Sequence, residues 1–296
     1  MTQSIDLNYS IGSAVAVGKF DGLHLGHQLL LRRVASERAN GLIPTVLAIE
    51  DPNRSEGILL PSETRSILKS FGISRYVRLP LTEELRSLEP EAFIQNVLFE
   101  QYRAKLIVAG TDFCFGKDRR GSVSTIRALA PAYGYEPVIF EKLTVSGSPV
   151  SSARIRALIA EGHVKEAEEL LGRPYFITGT VSHGRALGRT LGFPTINLAF
   201  PSGKVRPKFG VYRVLVKIGR QTFPGVANVG TKPTVSDNAS CTAEVHLLQA
   251  SGDYYGKTVR ILFSEFMRPE RRFDSVGDLR QQVLEDIRIA SAAFGV

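Results

Sequence analysis

Thr195 and Asn197 end a stretch, residues 179–197 (GTVSHGRALGRTLGFPTIN), whose composition suits an anionic ligand and its metal. Their side chains offer hard oxygen donors, a hydroxyl and an amide carbonyl. Two apart in an extended segment, they point to the same side. Such a pair suits Mg²⁺, with phosphate oxygens and water completing its shell. Upstream, Gly179, Gly184, Gly188 and Gly192 let backbone N–H groups approach a ligand, because no Cβ stands in the way. His183, Arg185 and Arg189 add basic groups suited to phosphate. The same residues equally make a Gly/Pro-rich turn whose Thr and Asn bond only the local backbone.

A second cluster is GKFDGLHLGH, residues 18–27, where His24 and His27 stand three apart across Gly26. It follows an apolar run, 14–17, and precedes a helical pattern. A helix N-terminus carries partial positive charge and free N–H groups, so phosphate binds there readily. Imidazoles at that place can stabilise charge as a phosphoanhydride is attacked. Polar caps or half a zinc site are the alternatives, and no third ligand stands at metal spacing. G-x-G-x-x-G is absent, so this is not a dinucleotide fingerprint. A third cluster is VSSARIR, residues 150–156. Ser151 or Ser152 can cap the next helix. Arg154 and Arg156 in its first turn oppose the dipole unless an anion binds there. Glu244 shares a strand face with His246, and in a barrel mouth it could take a proton from a substrate hydroxyl. An outward-facing strand residue is the alternative.

The elements that must position these residues follow from periodicity. Strands at 14–17, 45–49, 76–79, 106–109 and 137–140 alternate with helices after residue 27, at 64–71, at 91–102 behind Pro90, and at 123–133. That alternation predicts a parallel sheet with helices on both faces, its ligand at the strands' carboxyl ends. An amphipathic helix at 164–171 stops at Gly172. Strands at 176–181, 211–218, 222–227, 242–248 and 259–266 then follow with no helix between them, which predicts an antiparallel barrel. A last helix, 275–292, is capped by Ser275 and shows Val276, Leu279, Val283, Leu284 and Ile287 on one face. SGDYYGKT, 251–258, is no P-loop: Ser251 stands where Gly is needed, and a strand follows, so it predicts a hairpin. The fold class is α/β plus β, with domains at 1–172 and 173–296.

Composition bounds the rest. At 296 residues and 43% hydrophobic content, the chain holds two packed cores. A net charge of +8 suggests an anionic partner. Nucleic acid is disfavoured, because no strand face interleaves aromatic and basic residues and there is no Trp to stack bases. Two distant cysteines, Cys114 and Cys241, make no disulfide framework and predict two buried thiols. No secretory pattern precedes residue 11 and no apolar run approaches the roughly 20 residues of a membrane span. A cytoplasmic protein without a membrane partner is expected, and a homo-oligomer stays open.

GKFDGLHLGH, VSSARIR and Gly110-Thr111-Asp112-Phe113 with Phe115-Gly116 and Arg120-Gly121 resemble the FMN adenylyltransferase module of bacterial bifunctional riboflavin kinase/FAD synthetases. The series GTVSHGRALGRTLGFPTIN, GVYRV, GVANVGTKPT, EVHLL, YGK and FMRPERRFDS resembles the riboflavin kinase family. Together the two resemblances cover nearly the whole chain. They imply phosphorylation of riboflavin by ATP with Mg²⁺ to FMN, then adenylylation of FMN by a second ATP to FAD. By resemblance, His24 and His27 hold ATP phosphates, with Ser151, Ser152 and Arg154 closing on the triphosphate. Asp112 lies near the flavin or adenine, and Gly18, Phe20, Asp21 and Arg156 join that site. In the barrel, Thr195 and Asn197 coordinate Mg²⁺, and Ser182, Gly184 and Gly188 cover ATP phosphates. Glu244 is the base for the ribityl 5′-hydroxyl, and Arg268 and Glu270 border the flavin. Three positions depart from the family pattern: Asn53 where His is common, Arg185, and Gln249 where Asp is frequent. Asn53 keeps open a chain whose adenylyl site has decayed, and the charge keeps open a nucleic-acid binder.

Overall fold

The computed structural model describes residues 11–183, 187–232, 240–250 and 252–296. The chain forms two compact units that divide after Ser152.

In the first unit, β1 (Ser13–Gly18), β2 (Ile43–Glu50), β3 (Arg75–Pro80), β4 (Ala104–Gly110) and β5 (Glu136–Phe140) form one parallel sheet. The strand order is β3-β2-β1-β4-β5. Helices α1 (Leu25–Ser36), α2 (Pro61–Ser70), α3 (Glu83–Ser87), α4 (Pro90–Ala92) and α5 (Val123–Tyr133) link the strands. Right-handed crossovers run outward from β1 in opposite senses, so the helices cover both faces. Burial on both faces explains why β1 and β2 are near-continuous apolar runs. Val17, Leu47, Phe93, Leu98, Ile107 and Ile126 share the core.

The helix expected at 91–102 is present, but Phe93–Gln101 winds as a π-helix behind α4. The short α3 and the hairpin of β6 (Thr144–Val145) and β7 (Ser148–Pro149) carry too few residues to show a period. The expectation of two buried thiols fails: Cys114 is exposed and Cys241 only half-buried. Cys114 sits in the loop after β4, where no strand packs on it.

In the second unit, α6 (Ser152–Glu161, after its first residue) and α7 (Val164–Leu171) precede the strands. Strands β8 (Tyr175–Thr180), β9 (Thr195–Ala199), β10 (Gly210–Ile218), β11 (Gln221–Lys232), β12 (Ser240–Leu247) and β13 (Thr258–Pro269) form one antiparallel sheet. The order is β8-β13-β10-β11-β12-β9. The sheet curls until its two edges approach, and a bridge between Ser182 and Asn197 joins them. Alternation turns Tyr175, Ile177, Tyr212, Val214, Val245 and Phe263 into the interior, all buried. The short α8 (Leu187–Thr190) lies in the loop before β9. The hairpin expected at 251–258 needs correction: a turn with Lys257 N–H donating to Tyr254 O leads into β13, but β12 pairs with β11 and β9 while β13 pairs with β10 and β8, so the segment crosses between strands that are not neighbours. The sequence-based join at 172/173 comes later than the division after Ser152, because α7 packs on β8 and β13.

α9 (Val276–Phe294) starts at Ser275, whose hydroxyl accepts the Asp278 N–H. Its expected apolar face needs correction: Val276 is 58% and Leu284 43% exposed. Ile287, Ala290 and Phe294 instead pack with Val211 and Val226. The stripe is shifted because it carries a charge, Asp286, buried at 3% exposure. Arg268 of β13 donates to it from Nε at 2.9 Å and Nη2 at 2.7 Å, and Gln282 Nε2 donates at 2.9 Å. Arg268→Ala strands that carboxylate. It should destabilise the second unit by about 3 kcal/mol in chemical denaturation, and Arg268→Lys by less.

No helix among the described residues is long and apolar enough to cross a membrane.

Candidate active sites

In the first unit, the strand order reverses between β1 and β4, so a crevice opens beyond their carboxyl ends at Gly18 and Gly110. A cavity of about 850 Å³ occupies it, lined by Gly18, Phe20, His24, His27, Asp112, Ser151 and Ser152 among others. That is near the upper end of the roughly 300–1,000 Å³ common for small-molecule sites.

His24 is the N-cap of α1: its Nδ1 accepts the His27 N–H at 3.3 Å. The two rings stack with centroids 3.6 Å apart and 14° between planes. An acceptor nitrogen carries no hydrogen, so neutral His24 holds its proton on Nε2 and can donate from there. The preceding Leu23 takes φ +46° although it has a side chain. Such backbone costs on the order of 1–3 kcal/mol and persists only where its surroundings fix it. Here Leu23 is fully buried, and Gln28 Nε2 donates to its carbonyl at 3.0 Å.

Asp21 is buried, but it is not among the residues lining the cavity. Its Oδ1 accepts the Ile58 N–H at 3.0 Å, and Oδ2 lies 3.4 Å from Arg54 Nη1. It therefore organises the loop after β2. The Asp21 carbonyl accepts from Ser152 Oγ at 2.8 Å, which ties two distant motifs together. Asp112 pairs with Lys142 at 2.8 Å. Phe113 and Phe115 stack at 5.3 Å, Phe93 meets Phe115 at 5.2 Å, and all three line the cavity. Such a wall suits a flat aromatic ring. Arg154 and Arg156 stand in the first turn of α6, just after Ser152, and are not lining residues. Asn53 is exposed, its N–H donating to Asp51 Oδ1 at 3.0 Å. Asp51 lines the cavity and Asn53 does not.

In the second unit, β9 and β12 pair antiparallel with Asn197 opposite Glu244 and Thr195 opposite His246. Opposite residues share a face with Cβ atoms about 4.5–5.5 Å apart. Asn228 of β11 is the next residue in register beyond Glu244. These residues lie on the face opposite the apolar interior, which holds Ile196, Leu198, Ala243 and Val245. Glu244 therefore stands on the outer face of the curled sheet, and alternation gives the interior to its apolar neighbours. Asn197 is nonetheless 6% exposed.

Ser182 bonds the Asn197 carbonyl from N at 2.9 Å and Oγ at 3.2 Å, so it positions β9. Gly188 presses on this face: a Cβ there would stand 2.6 Å from the Phe193 carbonyl oxygen and 3.4 Å from Thr195 Cγ2. Gly188→Ala must push backbone aside, and should cut the chemistry of this site about 10- to 100-fold while sparing the first unit's, in parallel assays of both reactions. Gly184 and Arg185 lie outside the described residues. Glu270 accepts from Asn228 Nδ2 at 3.1 Å, at the edge of the same face, whereas the Arg268 guanidinium is spent on Asp286. Thr195 Oγ1 and Asn197 Oδ1 are the donor chemistry that a hard cation takes, so the pair fits Mg²⁺.

Sequence reasoning missed Asn228 and Lys142, and placed His246 only on the face of Glu244, not opposite Thr195. Their signal lies in cross-strand and cross-loop neighbours, which one strand read alone does not reveal.

One unit is a doubly wound sheet with a histidine-capped helix at its switch point, and the other is a curled antiparallel sheet with a neutral oxygen pair opposite a carboxylate; together these are the features of a two-site, nucleotide-dependent transferase. Two family models cover these units: FAD synthetase matches residues 7–154 and riboflavin kinase 171–294. The bifunctional riboflavin kinase/FMN adenylyltransferase of Pseudomonas fluorescens is 33% identical over 95% of this chain and 93% of its own. That of Escherichia coli K12 is 32% identical over 96% and 94%. The crystal structure of a macrolide-efflux protein from Streptococcus pneumoniae superposes with a TM-score of 0.86 at 33% identity, covering 96% of this chain and 95% of that one. The chain belongs to the bifunctional riboflavin kinase/FMN adenylyltransferase family.

Proposed function

We propose that this chain converts riboflavin and ATP to FMN and ADP in its second unit, and FMN and ATP to FAD and pyrophosphate in its first. One observation carries the kinase half: Asn197 and Glu244 stand opposite each other in register, within the segment that the riboflavin kinase model matches. Glu244 takes the proton from the ribityl 5′-hydroxyl as its oxygen attacks the γ-phosphorus. Thr195 and Asn197 hold Mg²⁺, which when bound supplies positive charge beside the transferred phosphoryl group. The loop around Gly188 covers the phosphates and excludes water, and Glu270 borders the flavin.

In the first unit, His24 Nε2–H and His27 steady the ATP phosphates at the start of α1. The FMN phosphate oxygen attacks the α-phosphorus and pyrophosphate leaves, so no protein nucleophile is needed. The Phe113–Phe115 wall takes a flat ring, and Ser151, Ser152 and Arg154 complete the triphosphate site, with Arg156 adjacent. The functional boundary at 172/173 belongs to this reading, with α6 and α7 as the connector.

The test is chromatography after incubation with riboflavin, ATP and Mg²⁺. FMN should appear first and FAD after it. Chelating the metal should stop FMN formation. Accumulation of FMN without FAD would leave only the kinase half standing.

A further inference from the structure

His246 is used by neither reaction above, yet it sits directly opposite Thr195 on the β9–β12 pair. Its Nδ1 lies 2.9 Å from the carbonyl oxygen of Pro194, the residue where the chain turns into β9. A carbonyl only accepts, so the hydrogen is on His246 Nδ1. The Pro194 carbonyl belongs to the peptide that leads into Thr195. Fixing that carbonyl fixes the plane of the peptide, and with it the direction in which Thr195 leaves β9.

Other bonds among the described residues hold the surroundings of this corner. On the far side of β9, the Ser182–Asn197 bridge reaches one residue pair. Upstream, Phe193 N–H donates to Gly188 O at 2.8 Å, and Gly192 takes φ +93°. The bond from β12 therefore joins the strand that carries Glu244 to the peptide that aims Thr195.

We infer that His246 is a positioning residue for the kinase site: by donating from Nδ1 to the Pro194 carbonyl, it holds Thr195 in line with Asn197 for the divalent cation of the nucleotide. This rests on the reading of Thr195 and Asn197 as the metal pair.

The test uses the full chain and Mn²⁺ with ADP, read as loss of the free Mn²⁺ paramagnetic resonance signal. Asn places its Nδ2–H where His has Nδ1–H, so His246→Asn keeps the donor and His246→Ala removes it. His246→Ala should weaken Mn²⁺-dependent ADP binding about tenfold, the worth of roughly one hydrogen bond, and His246→Asn by less than about threefold. A cooperative unfolding transition of the second unit in chemical denaturation serves as the folding control, and FAD formation from supplied FMN in the first unit stays at the wild-type rate in both. Wild-type binding by His246→Ala overturns the inference, and so does equal weakening by Ala and Asn, since the donor would then not matter. Asn197→Ala, run alongside, separates the two claims: if it binds Mn²⁺ and ADP as wild type does, the metal-pair reading itself fails.

Discussion

Glu244→Gln should lower riboflavin phosphorylation about 10²- to 10⁴-fold while conversion of supplied FMN to FAD continues at the wild-type rate. The substitution keeps the size of the side chain and its capacity for hydrogen bonds, so its place opposite Asn197 and beside Asn228 stays filled. What it removes is an acceptor for the hydroxyl proton, since an amide does not take it up. The effect should fall on kcat, because riboflavin and nucleotide still bind. Asn197→Ala should cost FMN formation as well, but through nucleotide binding and with a raised requirement for Mg²⁺. Loss of both reactions in a folded Glu244→Gln protein would contradict the assignment of one site to each unit. Undiminished FMN formation would remove Glu244 from the role of base.

The second large effect is expected at the cap of α1. Asn is among the best N-cap residues, and its Oδ1 can accept the His27 N–H as Nδ1 does now. His24→Asn should therefore unfold within a few tenths of a kcal/mol of wild type. It lacks the Nε2–H, however, and FAD formation should fall about 10²- to 10³-fold, as when one donor to a developing charge is deleted. His24→Ala should lose the same activity and about 1 kcal/mol of stability besides. The pair of variants separates capping from catalysis, the two roles one imidazole carries here. If His24→Asn makes FAD normally, the ring is only a cap. FMN formation, measured in the same reactions, should not change in either variant.

The first unit was the more legible in sequence. Its strands are buried on both faces and alternate with helices, so runs such as AVAV and VLAI announce themselves, and the crevice follows from strand order alone. Nothing in GKFDGLHLGH shows that the Asp21 carboxylate turns back to the Ile58 N–H, because that partner lies 37 residues on. In the second unit, alternation revealed that Glu244 and His246 share a face, and that Thr195 and Asn197 do. It did not reveal that these two faces are the same one, which depends on the pairing of two strands far apart in the chain. Five-residue β9 was legible only as an extended segment, since it lies beside a Gly-rich loop and has no room for a period of its own. The face of α9 was misplaced for an energetic reason. A hydrophobic pattern treats Asp286 as solvent-facing, whereas Arg268 makes its burial tolerable.

The pairing of β9 with β12 also sets which changes of length the chain can absorb. Side chains swap sides with every step along a strand. One residue inserted or removed between Pro194 and Asn197 would turn Asn197 toward Leu198's apolar company and leave Glu244 facing an aliphatic group. The loop ahead of Phe193 is under no such constraint, because the strand begins only after it. Insertions and deletions that drift through descendants of this chain should therefore collect before Phe193 and spare the four residues beyond it.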